Sequence, residues 1–570
     1  MDRSDNFLDR VCGEVDAAGM MAHLVEFAKR VKLSGTPPEL ESFEYLKRTI
    51  EIYGFRVRLT SHPGFVSVPG RALLEVDGLE PRCITHSMAR PSPVGGLSGE
   101  VVYIGNGSQA DFAAHDVSGK IVLVDGIATP PVAHRASRAG AIGQIHVSPH
   151  EHLHEMCISP VWGSPSVEAL DRLPTTVVVS IPKSDGDAIK AKLQSAGPIV
   201  ARMVAEVDTG WRQLPLLEAE FFPEDAGDEA PFVMLCGHHD TWHLGVMDNG
   251  GANATMLEVA RLVAKERHRL RRGLRLCFWS GHSHGRFAGS TWYADNHWTE
   301  LADRCVAHVY ADSTGARGNT VLADAQTSAE LFGLGREAVA VRGDQELDRN
   351  RMGRAGDQSF WGIGIPSLFL TMGEQPAGSQ AELAPGLFGN GRKGAGYGWW
   401  WHTPDDTLDK MDVDILVRDT RIYAHAIFRL LTDKTLPIDI AAQVAAIRGI
   451  FETVARSVGE RLDTSEVLNA FDRLSRDLLA FQSERDSLED TDLILMRCSR
   501  ALVPIDYSSG DRFSHDPALP QQPLPVLDPL RSLAAATGEA EIAHCAVGAR
   551  RACNRIVQAL LEASRALGAR

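Results

Sequence analysis

PFVMLCGHHDTWHLGVMDNGGANATMLEVARLVAKERHRL, residues 231–270, decides the fold. Its first seven residues are an apolar run without alternation, as in a strand covered on both faces. From Ala252 the spacing changes. Apolar residues at 256, 257, 259, 260, 262 and 263 follow the turn of a helix. The strand-helix pattern repeats outward, with further strands at LRLCFWS (274–280), VAHVYA (306–311) and IPSLFLT (365–371). Residues 208–435 therefore predict an α/β fold, a mostly parallel sheet flanked by helices.

Toward the N-terminus, residues 66–207 carry short β-like runs separated by turn signals. These are ALLEV (72–76), EVVYIG (100–105), GKIVLVDG (119–126), IGQIHVS (142–148) and TTVVVSIP (175–182), interrupted by a helical stretch at 130–140. Residues 1–65 open with helical periodicity in PPELESFEYLKRTIEIYG, where Gly54 is a stop. Residues 436–570 read as helical. Leu468, Phe471, Leu474, Leu478 and Phe481 recur at three- and four-residue steps, Pro504 and the Pro-rich stretch 517–529 are breaks, and a last helix spans about 540–568.

With 44% hydrophobic and 23% charged residues, the chain is an ordinary globular protein, not a disordered one. A net charge of -16 argues against a nucleic-acid partner, because an acidic surface repels phosphate backbones. No apolar run reaches the length of a membrane span, and the charged N-terminus lacks the apolar core of a signal peptide. The nine cysteines form no CxxC pair, and Cys236, Cys277 and Cys305 sit in apolar runs as small core residues, so a reducing, cytoplasmic home is expected.

The chemistry gathers where the strands end. After PFVMLCG come His238, His239 and Asp240, then Asp248 and Asn249. After LRLCFWS come His282, Ser283 and His284, and after VAHVYA comes Asp312. His402 follows three tryptophans, 399–401, and a glycine-rich loop. Carboxyl ends of strands in an open α/β sheet are where the ligand crevice lies. His nitrogen and Asp oxygen in this mix suit zinc. A carboxylate such as Asp248 can bridge two ions, and Asp240 is placed to orient the His238 imidazole.

Four pieces, GHHDTWHLGVMDNGGANATMLEVARLV, FWSGHSHGRFAGSTWYAD, YADSTG and WHTPDDTLDKMD, resemble the co-catalytic di-zinc aminopeptidase and carboxypeptidase family. The likeness is to its three-domain branch, which contains glutamate carboxypeptidase II and the transferrin receptor. The resemblance implies that 1–65 and 208–435 form the metal-binding domain, that 66–207 is a protease-associated domain, and that 436–570 is a helical dimerisation domain giving a homodimer. It also implies that His238 and Asp312 bind a first zinc, Asp248 bridges, His402 holds a second ion, and Asp240 buttresses His238.

The family carries two adjacent glutamates after the next strand, one the general base and one a ligand. Here His282 and Ser283 align with them, and no acidic residue occurs between Arg275 and Asp295. His282 is then expected to shuttle the proton, since histidine titrates near neutrality, and His284 to replace the lost ligand. One or two ions remain open. GRAGDQSF (353–360) resembles the family's loop beside the substrate, which makes Arg354 and Asp357 candidates for substrate contact, together with Ser283. Trp401, with Trp242, is a candidate for an aromatic pocket, whereas His150, His152 and His154 read as a solvated loop.

These readings converge on a metal-dependent hydrolase of an amide, peptide or related C–N bond, acting on a small-molecule or short peptide-like substrate. A metal-dependent lyase or small-molecule hydrolase with a His base, and a non-catalytic receptor-like binding protein, stay open as alternatives.

Overall fold

A computed structural model describes residues 3–224, 227, 229–349, 351–383, 392–485, 488 and 490–568. Its strands are β1 (Arg56–Val76), β2 (Ile84–Thr85), β3 (Leu97–Tyr103), β4 (Ile121–Asp125), β5 (Gly143–Val147), β6 (Val177–Ile181), β7 (Val200–Phe221), β8 (Phe232–His238), β9 (Gly273–Trp279), β10 (Cys305–Tyr310) and β11 (Ser367–Leu368). They join in one mixed sheet of order β11-β10-β8-β9-β7-β3-β4-β5-β6-β2, with β1 on β7. Two parallel blocks, β11-β10-β8-β9 and β3-β4-β5-β6, meet at β7, which runs antiparallel to β9 near one end and to β3 near the other.

The continuous apolar runs make this arrangement. Every residue of β8, β9 and β10 is buried, so both faces need cover, and helices supply it. The helix Ala252–Lys265 packs on β8 and buries Met256, Leu257, Val259, Ala260, Leu262 and Val263, as the spacing predicts. The helix Pro37–Ile52 ends just before Gly54, whose φ of +90° lets the chain turn into β1. The boundaries expected at 65/66 and 207/208 fall inside β1 and β7, two long strands paired along most of their length. Four of the short runs of 66–207 form the second parallel block, β3 to β6, while ALLEV (72–76) is the end of β1; they share a core that includes Leu74, Ile121, Leu123, Ile145 and Val179.

The strand expected at 365–371 is short: only Ser367 and Leu368 pair, at the edge of β10. Toward the C-terminus lie the helices Ile440–Val458, Ser465–Glu484, Thr491–Tyr507, Asp528–Ala535 and Glu539–Ala566. Phe471, Leu474, Leu478 and Phe481 are buried as expected. Pro504 does not break its helix. It sits in the last turn, where little remains to disrupt, and its carbonyl caps the end by accepting from Ser508 N at 3.0 Å. Arg500 pins this helical region to the sheet region, donating to the carbonyls of Ala302 (2.8 Å) and Gly364 (2.9 Å). No helix among the described residues is long and apolar enough to cross a membrane. All nine cysteines are free, with Cys236, Cys277 and Cys305 fully buried.

Candidate functional site

Parallel pairing brings the chemistry together. In register, His238 at the end of β8 lies opposite Trp279 at the end of β9, so the loop that follows Trp279 runs beside His238. β10 pairs with the other side of β8 and releases Asp312 two residues after Tyr310. Asp248 arrives from the turn before the helix Ala252–Lys265, and His402 from the tryptophan loop.

Four of the expected ligands meet. His238 Nε2 is 3.0 Å from Asp248 Oδ1 and 3.9 Å from Asp312 Oδ2, and His402 Nε2 is 3.0 Å from Asp248 Oδ2. The other ring nitrogens are committed. His238 Nδ1 donates to the Asp240 carbonyl at 2.9 Å, and His402 Nδ1 to the Glu155 carbonyl at 2.6 Å. In the neutral form, both imidazoles therefore aim an Nε2 lone pair at a carboxylate oxygen. That contact needs a cation, either protons on the rings or a metal ion, and the buried His and Asp donor set fits zinc.

The titration of the free site shows the same need. Burial alone would depress His238, but its bond to Asp248 and the nearby charges of Asp312 and Asp240 raise it to about 10. Burial and the neighbouring Asp248 charge push Asp312 up to about 6. Burial also opposes the charge of Asp248, yet the hydrogen bonds from His238 and His402 hold it well below the usual carboxylate range. His402, where burial outweighs Asp248, stays below its ordinary value.

His282 joins this group. Its ring lies flat on that of His238, centroids 3.8 Å apart and planes 8° apart, and donor atoms of His238, His282 and Asp312 all lie within 4.8 Å of one another. His282 Nδ1 donates to Asp357 Oδ2 at 2.8 Å, which leaves Nε2 as the free lone pair. Tyr310 donates to Asp312 Oδ2 at 3.0 Å.

His284 does not join it. The residue is fully buried, its Nδ1 meets Ser34 Oγ at 2.9 Å, and its Nε2 has no partner among the described residues, the ring packing by Trp242 at 4.6 Å. The loop curls away at this point because the Asp240 carboxylate anchors it, accepting from Ser283 N (2.8 Å), His282 N (3.3 Å) and Ser34 Oγ (2.7 Å). Asp240 thus orients His238 with its carbonyl and the loop with its carboxylate. Ser283 lines the cavity, with Oγ unpartnered among the described residues.

Asp357 is buried and engaged, with Oδ1 accepting from Ser290 Oγ at 2.6 Å, so it is not placed to meet substrate itself. Arg354 lines the cavity and lies over Trp162. Trp401 and Trp242 also line it, and Trp401 stacks on His402 at 3.5 Å. Trp400 is buried, and Trp399 stacks on His152 at 3.8 Å. Residues 384–391 of the glycine-rich loop lie outside the described residues.

His150, His152 and His154 are packed rather than solvated. His154 is buried, with Nδ1 at 2.5 Å from the Trp401 carbonyl, and His150 Nε2 donates to the Leu383 carbonyl at 2.9 Å. With the Glu155 carbonyl, this segment holds the loop that carries His402. Sequence reasoning missed the Glu155 contact, which involves only backbone of that residue, and Tyr310. The latter was legible: two residues before Asp312 in an extended strand is the same face.

Residues 221–427 match the family model described as Peptidase family M28, and the matched stretch contains His238, Asp248, His282, Asp312 and His402. The resemblance read from the sequence holds over that region, which is similar to Peptidase family M28. Among curated proteins, the probable glutamate carboxypeptidase AMP1 of Arabidopsis thaliana is 23% identical over 345 residues, 49% of this chain and 49% of its own. The probable glutamate carboxypeptidase VP8 of Zea mays is 21% identical over 360 residues, 52% of this chain and 50% of its own. The chain spans about half the length of the curated relatives it matches. Two solved structures share the fold. The aminopeptidase from Aneurinibacillus sp. strain AM-1 has TM-score 0.56 at 22% identity, covering 76% of this chain and 98% of that one. The Peptidase M28 precursor from Shewanella amazonensis SB2B has TM-score 0.59 at 17% identity, covering 76% and 97%.

Proposed function

We propose that this protein is a zinc-dependent hydrolase of amide bonds in short peptide-like substrates, in which His282 does the work the family gives to a glutamate. The observation that carries the reading is the pairing of His282 Nδ1 with buried Asp357 at 2.8 Å while the ring lies against His238. A carboxylate on one nitrogen fixes the tautomer and leaves the other free to accept a proton. His238, Asp248 and Asp312 would hold the ion, with His402 on the second oxygen of Asp248. Such an ion polarises a carbonyl and acidifies a bound water.

The chain's own residues supply the rest. His282 Nε2 accepts the proton and returns it to the leaving amine. Asp357 keeps the ring in place throughout. Trp242 and Trp401 give the cavity apolar walls that exclude water from the reacting bond. Residues 66–207 are read as a protease-associated domain whose Glu155 carbonyl positions His402, and residues 436–570 as a dimerisation domain.

A second reading keeps the hydrolase and makes His282 a metal ligand. It is favoured by the closeness of the His238, His282 and Asp312 donor atoms, and it leaves one ion with a histidine-rich shell.

The test is release of free amine from a panel of dipeptides and N-acyl amino acids by protein purified without chelator. Hydrolysis that a chelator stops and zinc restores is expected. No hydrolysis across the panel by metal-replete protein would sink the proposal and favour the receptor-like alternative.

A further inference from the structure

Tyr310 is the last residue of β10 and is fully buried. Its hydroxyl sits between two residues of the site. Oη donates to Asp312 Oδ2 at 3.0 Å and lies 3.3 Å from His282 Nδ1. What the partners can do fixes the direction of each contact. An ionised carboxylate only accepts, so the hydroxyl proton goes to Asp312. His282 Nδ1 already carries the proton that it donates to Asp357 Oδ2 at 2.8 Å. Toward that ring the Tyr310 oxygen is therefore a second, longer acceptor. The chain of bonds runs from His282 Nδ1–H to Tyr310 Oη–H to Asp312 Oδ2.

Asp312 has another hydroxyl donor. Ser313 Oγ donates to its Oδ1 at 2.7 Å. Among the described residues, only Tyr310 hydrogen-bonds to both Asp312 and His282. The oxygen it holds, Oδ2, is the one 3.9 Å from His238 Nε2.

The surroundings leave the phenol little freedom. Tyr423, on the helix Val413–Thr432, donates its hydroxyl to the Tyr310 carbonyl at 2.9 Å. The rings of His282 and Tyr310 are nearly parallel, with planes 16° apart and centroids 6.5 Å apart. Gly356, the residue before Asp357, makes room for the phenol. Its φ is +61°, and a Cβ there would stand 2.7 Å from Tyr310 Cε1 and 2.6 Å from Leu370 Cδ1. The loop that supplies Asp357 to His282 thus also makes space for the Tyr310 ring.

A hydroxyl that accepts one hydrogen bond is polarised and donates the next more strongly. Partners of this kind orient metal ligands and tune their donor strength. We propose that Tyr310 is a positioning residue that ties the ligand Asp312 to His282, so that carboxylate and imidazole keep their spacing as one unit. The inference deepens the metal-dependent reading and rests on it for the role of Asp312. It does not depend on which bond the protein cleaves.

The experiment measures zinc affinity of the full-length protein by competition with a chromophoric chelator, which needs no substrate. Tyr310→Phe keeps the ring and removes the hydroxyl. It should weaken zinc binding by about 10-fold or more, the usual cost of losing such a partner. Ser313→Ala is the comparison, since it removes the other hydroxyl donor to Asp312. Both are repeated in a His282→Ala background. The loss caused by Tyr310→Phe should differ between backgrounds by about 3-fold or more, because residues in one hydrogen-bond network couple. The loss caused by Ser313→Ala should be the same in both. If Tyr310→Phe lacks a cooperative melt, Gly356→Ala takes its place, because a methyl there displaces the ring, and the same coupling is expected. Unchanged zinc affinity, a loss that is equal in the two backgrounds, or coupling of the same size for Ser313→Ala overturns the proposal. Coupling found in a protein that hydrolyses no amide counts against the hydrolase reading and leaves the Tyr310 assignment standing. Amide hydrolysis without the coupling does the reverse.

Discussion

His282 Nδ1 donates a hydrogen bond to Asp357 Oδ2, 2.8 Å away, from the loop that follows the carboxyl end of β9. The pair brings a carboxylate into the site at one remove. A glutamate at 282 would reach the reacting water directly, whereas here Asp357 contributes its charge through an imidazole. Burial opposes the charge of Asp357, but the neighbouring His282, by charge and by hydrogen bond, and the hydrogen bond from Ser290 hold it below the usual carboxylate range.

The two roles available to His282 separate in one experiment. As a base, His282→Ala lowers turnover about 10²–10⁴-fold and keeps its metal. As a ligand, it loses metal as well. His284→Ala should keep its metal in either case, because its ring faces Ser34 and Trp242. Elemental analysis beside initial rates decides, and a metal-depleted His284→Ala protein would contradict the site described above.

Asp357→Asn keeps the shape and removes the charge that orients His282. Removing such a partner typically costs about 10–100-fold in activity or metal affinity. The expected result is a fall in kcat with the melting temperature unchanged. An equally active variant would show that the ring is held by its stacking on His238 alone.

Metal binding should be visible as stability. An ion bound only by the folded chain adds ~4 kcal/mol at a free concentration a thousand times Kd. Zinc added after chelator treatment should raise the melting temperature of the native protein and fail to raise it in His238→Ala or Asp312→Ala. His238 is raised to about 10 in the metal-free site, so zinc displaces a proton and its affinity should increase with pH. A pH-independent affinity would exclude His238 from the ligand set.

Glu330 predicts a pH-dependent cost in stability. Only 1% exposed, it is raised by burial, with Asp506 adding, from 4.5 to about 8. Below pH 4.5 the group is protonated in both the folded and unfolded chain and costs nothing. Between 4.5 and about 8 the unfolded chain ionises first, so stability falls as pH rises. Glu330→Gln removes this decline, and its advantage in chemical denaturation should grow across that window. A constant difference at all pH values would contradict the assignment.

The C-terminal helical region, proposed above as a dimerisation domain, leaves Leu479, Phe513 and Val547 more than half exposed. Light scattering is expected to give twice the 62.0 kDa chain mass at micromolar concentration. A single-chain mass would remove the dimer.

The α/β order of residues 231–371 was legible because a buried parallel strand must be apolar on both faces, and PFVMLCG, LRLCFWS and VAHVYA are. The same reasoning placed His238, Asp312 and the 282–284 loop at one edge, since parallel strands present their carboxyl ends together. Sequence spacing could not say which histidine of the loop faces that edge. That depended on Asp240, whose carboxylate anchors the backbone of residues 282 and 283 and sends His284 behind it. Nor could it reveal that Asp357 serves His282, or that Glu155 reaches His402 through its carbonyl. Periodicity reports which face of an element is buried. Contacts between loops separated by tens to hundreds of residues arise only when the whole sheet has closed, and backbone acceptors leave no mark in the identity of the residue that supplies them.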